Sequence, residues 1–312
     1  MGPAHHGLAE VVGPAGCARR TTEGGCSLHS FLVMRTLRLL VFVLLLADLL
    51  LGENAPPITV SIPSGKLQIK AFFWKPSGPG PFPAVLFNHG SGEDPSHTAS
   101  LPITEAAEKL APIFLKHGYA FLYPFRRGQG LSANQAPFMQ DVLKREEETR
   151  GKEARQHLQF VLLTTEQLDD ALAALAFLKS APGIDSYRLA VIGHSFGGQL
   201  SLLVAEHDAS LRAVVSFAGA ARSWKTSAEV RQRLLAAVRK AEAPIMLVEA
   251  ENDYSTEGAA ALAKEMDRLH KPHVLKIYPP VGDSPNEGHN QLYGAMSQWE
   301  GDVFKFLDQN VK

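Results

Sequence analysis

The sequence predicts an α/β fold, in which a mostly parallel central sheet of about eight strands carries helices on both faces. After Pro56, short β-branched or aromatic runs alternate with helical patterns, and no repeat or long low-complexity linker interrupts them. This alternation is typical of a parallel sheet covered on both faces. The 312 residues are 45% hydrophobic and 20% charged, the composition of an ordinary globular protein.

The strand candidates fall into two groups. Ile58 to Ile62 and Leu67 to Trp74, joined by Pro63-Ser64-Gly65, predict an antiparallel hairpin. Six apolar runs predict buried strands: Ala84 to Asn88, Ala120 to Tyr123, Leu189 to Ile192, Ala213 to Phe217, Pro244 to Val248 and His273 to Tyr278.

The clearest helical pattern follows the middle of the chain. Its apolar positions recur at the spacing of one helix face: Leu168, Leu172, Leu175 and Leu178. Thr164 and Gln167 predict a capping box at its start, and Pro182-Gly183 predicts its end. Such a helix would cover one face of the sheet.

The long connection from Ser132 to Leu163, residues 132–163, carries a block of mixed charge at Lys144 to Arg150. A solvated helix is one interpretation of such a block. A lid over a functional site is the other, because long connections in compact domains are often functional.

The N-terminal region contains one strongly apolar run, Leu39 to Leu51. It is shorter than the roughly 20 residues that a membrane span needs, and Asp48 within it would cost about 3 kcal/mol. We therefore expect residues 34–55 to be a signal peptide that exports the protein to the periplasm or medium. Its retention as a membrane anchor is the alternative, and only then would the protein contact a membrane. Residues 1–33 are interpreted as a mis-assigned or unstructured extension.

Composition and motifs exclude several classes of partner. Lys and Arg total 31 against 32 for Asp and Glu, so a net charge of −1 offers no field for nucleic acid. Both cysteines, Cys17 and Cys26, precede the predicted sheet, which argues against a disulfide scaffold or Cys-ligated metal. No metal-binding or nucleotide-binding motif occurs, so we expect no metal and no cofactor.

The string from Gly193 to Gly197, with Ser195 at its centre, is the first candidate site. A G-x-S-x-G string is common by chance, and a turn without chemistry is the alternative. Here it follows a strand pattern and opens a helical one, which predicts an exposed nucleophile on a tight turn. Gly193 and Gly197 would avoid collisions with the neighbouring elements, and the Phe196 N–H could donate to a developing oxyanion.

A serine needs a base, and an acid that orients the base. In the order nucleophile, acid, base that accompanies such a turn, the base follows the last strand, which favours His289 over His270 and His273. The acid should follow the penultimate strand. Asp253 is the favoured acid, with two carboxylates as rivals: Glu251 and Asp283.

A second oxyanion donor is expected in the turn after the strand Ala84 to Asn88. There His89, Gly90 and Ser91 would bring backbone close to a substrate, so the Ser91 N–H could pair with the Phe196 N–H. An ordinary glycine turn is the alternative. His89 and His194 are expected to shape the pocket without transferring protons.

These motifs resemble the dienelactone hydrolase-like branch of the α/β hydrolases, and also the catalytic domains of prolyl oligopeptidase-type enzymes. The resemblance covers about Phe82 to Phe306 and rests on five segments: Asn88 to Gly92, Tyr123 to Ser132, Gly193 to Gly198, Asp253, and Gly288-His289. It implies an α/β-hydrolase catalytic domain over residues 56–312, a triad of Ser195, Asp253 and His289, and no cofactor. It also implies that Arg127-Gly128 anchors the loop after the fourth strand.

The resemblance implies a serine hydrolase that cleaves a small carboxylic ester through an acyl-enzyme. Ser195 stands where the namesake enzyme of the family has cysteine, which argues against ring-cleavage lactones as substrates. A peptidase or amidase of prolyl oligopeptidase-like type and a catalytically silent binding module are the alternatives. The sequence leaves acyl specificity, alcohol specificity and oligomeric state open.

Overall fold

The computed structural model describes residues 56–92 and 103–312. In these ranges the strands form one eight-stranded sheet. Their bounds are β1 Ile58–Ser64, β2 Leu67–Trp74, β3 Phe82–Asn88, β4 Ala120–Phe125, β5 Ile184–His194, β6 Ala213–Phe217, β7 Ile245–Ala250 and β8 His273–Tyr278. Each predicted strand is therefore confirmed, with small differences at the ends.

The strands lie in the order β1-β2-β4-β3-β5-β6-β7-β8. β1 and β2 form the predicted antiparallel hairpin, with Ser64 paired with Leu67, and β2 is also antiparallel to β4. From β4 to β8 all neighbours are parallel. β5 begins at Ile184 rather than at Leu189, because Ile184 pairs with Phe82 before the register shifts.

The helices of the described ranges connect these strands. Their bounds are α1 Ile103–Lys116, α2 Met139–Arg150, α3 Lys152–Thr164, α4 Glu166–Ser180, α5 Phe196–His207, α6 Ala228–Lys240, α7 Glu257–Arg268, α8 Pro285–His289, α9 Gln291–Gly294 and α10 Met296–Val311, with a 3₁₀ turn at Gly130–Gln135. In the described residues, no helix is long and apolar enough to cross a membrane.

The sheet separates two hydrophobic cores because successive strand residues point to opposite faces. In β3, Ala84 and Leu86 belong to a core that includes residues of α4 to α7, whereas Val85 and Phe87 belong to a second core that includes residues of α1 and α10. The prediction of helices on both faces is thus confirmed. The six residues of β4 and of β7 are all buried, which explains their nearly continuous apolar sequence.

The start of α4 differs from the expectation. Thr164 is the last residue of α3, and its hydroxyl donates to the Phe160 carbonyl at 2.9 Å. Thr165 is the residue before α4, and its side chain makes no capping hydrogen bond. Gln167 accepts instead from the buried Arg126, at 2.9 Å. A capping box at Thr164 is therefore wrong, because a tertiary partner and the preceding helix use both side chains. The predicted end is confirmed, since α4 ends at Ser180.

The connection 132–163 folds into the end of the 3₁₀ turn and the helix pair α2 and α3. Its charged block lies on α2, where Lys144, Arg145 and Glu148 are exposed. The predicted extension 1–33 and signal peptide 34–55 lie outside the described residues.

Candidate active site

Ser195 occupies the turn between the end of β5 and the start of α5. Its backbone has φ 54° and ψ −119°, a conformation that a residue with a side chain rarely adopts and that costs about 1 to 3 kcal/mol. The Ser195 N–H donates to the Phe217 carbonyl of β6 at 2.8 Å, which holds the strained turn against the sheet. The strand, turn and helix predicted from the sequence therefore present this serine at the carboxyl edge of the parallel strands.

The two flanking glycines are required by close packing. A Cβ on Gly193 would lie 2.1 Å from the Gly197 carbonyl oxygen, and a Cβ on Gly197 would lie 1.9 Å from the Asn88 carbonyl oxygen. Both distances are far below van der Waals contact. Any side chain at either position would move the Ser195 turn away from β3 and α5.

Ser195, His289 and Asp253 form a hydrogen-bonded chain. Ser195 Oγ lies 2.9 Å from His289 Nε2, and His289 Nδ1 lies 2.9 and 3.1 Å from the two carboxylate oxygens of Asp253. Because a carboxylate only accepts, the proton of the neutral imidazole is on Nδ1 and Nε2 accepts from the serine hydroxyl. Asp253 also accepts the Tyr254 N–H at 2.6 Å.

Short elements hold the two partners in place. His289 ends α8, a single turn that Ser284 and Glu287 cap reciprocally at its start. Asp253 lies in the turn after β7. His289 and Asp253 are both buried, whereas the rivals Glu251 and Asp283 are exposed. Of the three carboxylates considered, the structure brings Asp253 to His289.

The expected oxyanion turn lies beside the serine. A Cβ on Gly90 would be 3.8 Å from the Cβ of Ser195, and Ser91 lines the same cleft as Ser195 and Phe196. Phe196 is the first residue of α5, so its N–H has no acceptor within the helix. The donation of the Ser91 and Phe196 amides to an oxyanion stays a prediction.

The turn at His89 and Gly90 is held by a buried arginine, Arg126, which was not among the predicted site residues. Arg126 donates to the carbonyls of His89 at 2.9 Å and Gly90 at 2.7 Å, and its guanidinium lies 5.5 Å from the centroid of the Phe196 ring. Burial lowers the pKa of Arg126 to about 10, so it remains charged at neutral pH. The sequence around Arg126 carries no periodic pattern that predicts its burial, because the carbonyls that accept from the buried guanidinium lie far away along the chain.

The two other histidines of the motifs are neutral. Burial, followed by the charge of Arg126, lowers the pKa of His89 well below its usual range, and His89 Nδ1 donates to the Gly90 carbonyl at 2.7 Å. Burial and then His289 lower the pKa of His194 to about 3. His194 Nε2 donates to the backbone carbonyl of His289 at 2.7 Å. Each of these histidines therefore donates a hydrogen bond to a backbone carbonyl of a loop beside the site, and a pocket-shaping role for them stays a prediction.

Arg127 anchors the loop after β4, in line with the implication of the resemblance. Its backbone N–H and guanidinium both donate to Asp170, whose side chain is fully buried, at 2.7 to 3.0 Å. The Ser64 hydroxyl donates to the same carboxylate at 2.6 Å. This link joins the loop to α4 and to the β1–β2 hairpin.

An open cleft of about 1040 Å³ lies over Ser195. Side chains of α2 and α3 form one wall, including Lys144, Glu147 and Arg155, and Tyr254 lies on another. Connection 132–163 is thus a helical wall of this cleft, and closure as a lid stays a prediction. Residues 56–92 and 103–312 contain no group of three His, Cys, Asp or Glu side chains that could hold a metal ion.

The sheet order and the serine turn after β5 define an α/β-hydrolase fold. Residues 131–307 match the sequence model of the dienelactone hydrolase family, and the chain belongs to that family.

Solved structures share this fold. A dienelactone hydrolase from Anabaena variabilis is similar with a TM-score of 0.55 at 20% identity, over 82% of this chain and 98% of that chain. An acylaminoacyl peptidase from Pyrococcus horikoshii is similar with a TM-score of 0.56 at 16% identity, over 84% of this chain and 43% of that chain.

Sequence similarity extends over part of the chain. The quorum-quenching protein AidA of Acinetobacter baumannii is 28% identical over 166 residues, which are 53% of this chain and 45% of the relative. The chain spans about half the length of the curated relatives it matches.

Proposed function

We propose that the protein is a serine hydrolase that cleaves small carboxylic esters through an acyl-enzyme. The observation that carries the proposal is the Ser195–His289–Asp253 hydrogen-bonded chain, with its serine at the floor of an open cleft. Membership of the dienelactone hydrolase family supports hydrolysis as the class of reaction.

Acylation begins when Ser195 Oγ attacks the carbonyl carbon of the ester while its proton passes to His289 Nε2. The carboxylate of Asp253 stabilises the imidazolium and fixes its orientation. Negative charge develops on the former carbonyl oxygen, and the backbone amides of Ser91 and Phe196 donate to it. His289 then returns the proton to the departing alkoxide, which leaves as the alcohol.

Deacylation uses the same groups with water as the nucleophile. His289 Nε2 accepts a proton from water, water oxygen bonds to the acyl carbon, and the Ser195 oxygen leaves with the proton that His289 returns. The products are a carboxylic acid and the regenerated enzyme. Each proton transfer of both steps passes through His289.

Ser195→Ala tests the proposal. Hydrolysis of p-nitrophenyl acetate should fall by at least about 10⁴-fold, because no other group can form the acyl-enzyme. Ser180→Ala, which removes an exposed hydroxyl from α4, is the matched control and should retain wild-type rates. Wild-type rates in Ser195→Ala would refute the assignment.

Two alternatives need separate assays. A panel of acyl esters beside aminoacyl amides tests the peptidase or amidase, and faster amide cleavage would favour that alternative. Quorum-signal molecules belong in the panel because one relative is described as quorum-quenching. A fluorophosphonate probe should label Ser195, and failure to label it would favour the silent binding module.

We also propose that residues 34–55 direct export of the protein. N-terminal sequencing of the exported chain should give a start near Pro56. An intact N-terminus in the membrane fraction would favour the anchor instead.

A further inference from the structure

A second acidic side chain lies behind Asp253. Glu249 belongs to β7, a strand whose residues are all buried, and it is 2% exposed. It is four residues before Asp253 and pairs in register with Ile277 of β8. Its side chain is within hydrogen-bonding reach of Asp253, and its Oε2 has no hydrogen-bond partner in the described part of the chain.

Ionisation of the Glu249 carboxyl group in this position would be unfavourable in free energy. Burial removes its water, and its charged neighbour is Asp253, another acid, rather than a cation. Burial first, and then the charge of Asp253, raise the pKa of Glu249 well above its usual range.

The shared proton belongs on Glu249. Asp253 accepts from His289 Nδ1 and from the Tyr254 N–H, and both donors stabilise its negative charge. Among residues 56–92 and 103–312, no group donates a hydrogen bond to Glu249 Oε2. A hydrogen bond between two neighbouring carboxyl groups requires that one of the two acids keep its proton.

We propose that neutral Glu249 donates its carboxyl proton to Asp253 and is a positioning residue of the Ser195–His289–Asp253 chain. The inference rests on the proposed function and adds a residue to its machinery. The donated hydrogen bond fixes the Asp253 carboxylate towards His289 Nδ1. It also spreads the charge of Asp253, which weakens the attraction of that carboxylate for the imidazolium.

Among the described residues, the titratable groups that influence the Ser195–His289–Asp253 hydrogen-bonded chain include Glu249 and His194. Asp253 faces both Glu249 and His289, and His194 lies next to His289 under the influence of Arg222. His194 stays neutral above about pH 3, so it adds no step to a pH profile between 5 and 9.

The test compares Glu249→Leu, which removes the donor, with Glu249→Gln, which keeps a neutral donor of nearly the same shape. In full-length protein, Glu249→Leu should lower kcat for p-nitrophenyl acetate about tenfold with little change in KM. The acid limb of its kcat/KM profile should move to higher pH, because Asp253 then attracts the imidazolium more strongly. Glu249→Gln should recover most of kcat and keep the wild-type limb. Glu251→Leu removes an exposed carboxylate two residues away and is the matched control.

Two results would overturn the inference. One is a folded Glu249→Leu protein with the kcat and acid limb of the wild type. The other is an acid limb that moves to lower pH in Glu249→Gln, because only an ionised Glu249 would have supplied a charge to lose. Glu249→Gln keeps the test decisive if Glu249→Leu fails to fold.

Failure of the proposed ester hydrolysis can be distinguished from failure of the inference about Glu249. Wild-type protein without ester hydrolysis would refute the acyl-enzyme, and the downfield NMR resonance of His289 Nδ1–H would then decide the role of Glu249. That resonance should shift in Glu249→Leu and stay in Glu249→Gln, and an unmoved resonance in Glu249→Leu would overturn the inference.

Discussion

The burial of Glu249 in β7 predicts how the stability of the protein changes with pH, and this prediction does not depend on catalysis. In the unfolded chain Glu249 loses its proton near pH 4.3, whereas burial and the nearby Asp253 raise its pKa in the folded protein. Between these two pKa values the native state holds one more proton than the unfolded state. The contribution of Glu249 to the free energy of unfolding therefore falls by at most about 1.4 kcal/mol for each pH unit in this window, as a consequence of linkage. The stability that neutral Glu249 contributes is complete below pH 4.3 and is lost as pH rises through the folded pKa.

Glu249→Gln does not titrate, so its unfolding free energy lacks this slope. Measured by urea unfolding at a series of pH values above 4.3, the variant should become more stable relative to the wild type as pH rises, by at most about 1.4 kcal/mol per pH unit. All other titrating groups are common to the two proteins and cancel in the difference. Glu251→Gln makes the same substitution at an exposed carboxylate, and its difference from the wild type should not change with pH. Parallel stability curves for Glu249→Gln and the wild type would refute the argument that Glu249 is neutral.

Two further predictions follow from close packing and burial. Gly197→Ala should abolish ester hydrolysis and lower the free energy of unfolding by about 3 kcal/mol, because its Cβ would lie 1.9 Å from the Asn88 carbonyl oxygen. Gly301→Ala, in α10 with open space around its Cβ, should instead raise it by up to about 1 kcal/mol; equal effects in urea unfolding would contradict the packing argument. His194, with its pKa lowered to about 3, contributes stability above pH 6.5 that is lost as pH falls, by about 1.4 kcal/mol per unit. His194→Gln should remove that slope between pH 6 and 4, and an unchanged slope in urea unfolding would show that His194 takes up a proton in the native state.

Local sequence patterns determined most of the sheet. Parallel strands buried on both faces must be apolar along their whole length, so β4 and β7 were recognisable as runs of such residues. The β1–β2 hairpin was recognisable from Pro63-Ser64-Gly65 between two strand patterns. The serine turn was recognisable because a strand, closely spaced glycines and a helix follow one another within a short segment. Chain order then favoured His289 and Asp253, which the structure brings within hydrogen-bonding distance of each other.

Interactions between distant residues were decided only by the tertiary structure. Thr164 and Gln167 have the spacing of a capping box, but Gln167 accepts from Arg126 of another segment, 41 positions away. Nothing in the local sequence distinguishes Arg126 from the adjacent Arg127, and the carbonyls that accept from the buried Arg126 belong to a turn 36 and 37 positions earlier.

Glu249 shows most clearly the difference between what the sequence determines and what the tertiary structure determines. A glutamate within the apolar run of β7 was visible in the sequence, but its protonation state depends on its burial and on the nearby Asp253. The protonation of a carboxyl group is set by its solvation and by charges within a few ångströms. The sequence alone determined which residues form strands, helices and turns, because those depend on neighbours along the chain. Which polar groups are buried together, and in which charge state, depends on neighbours in space.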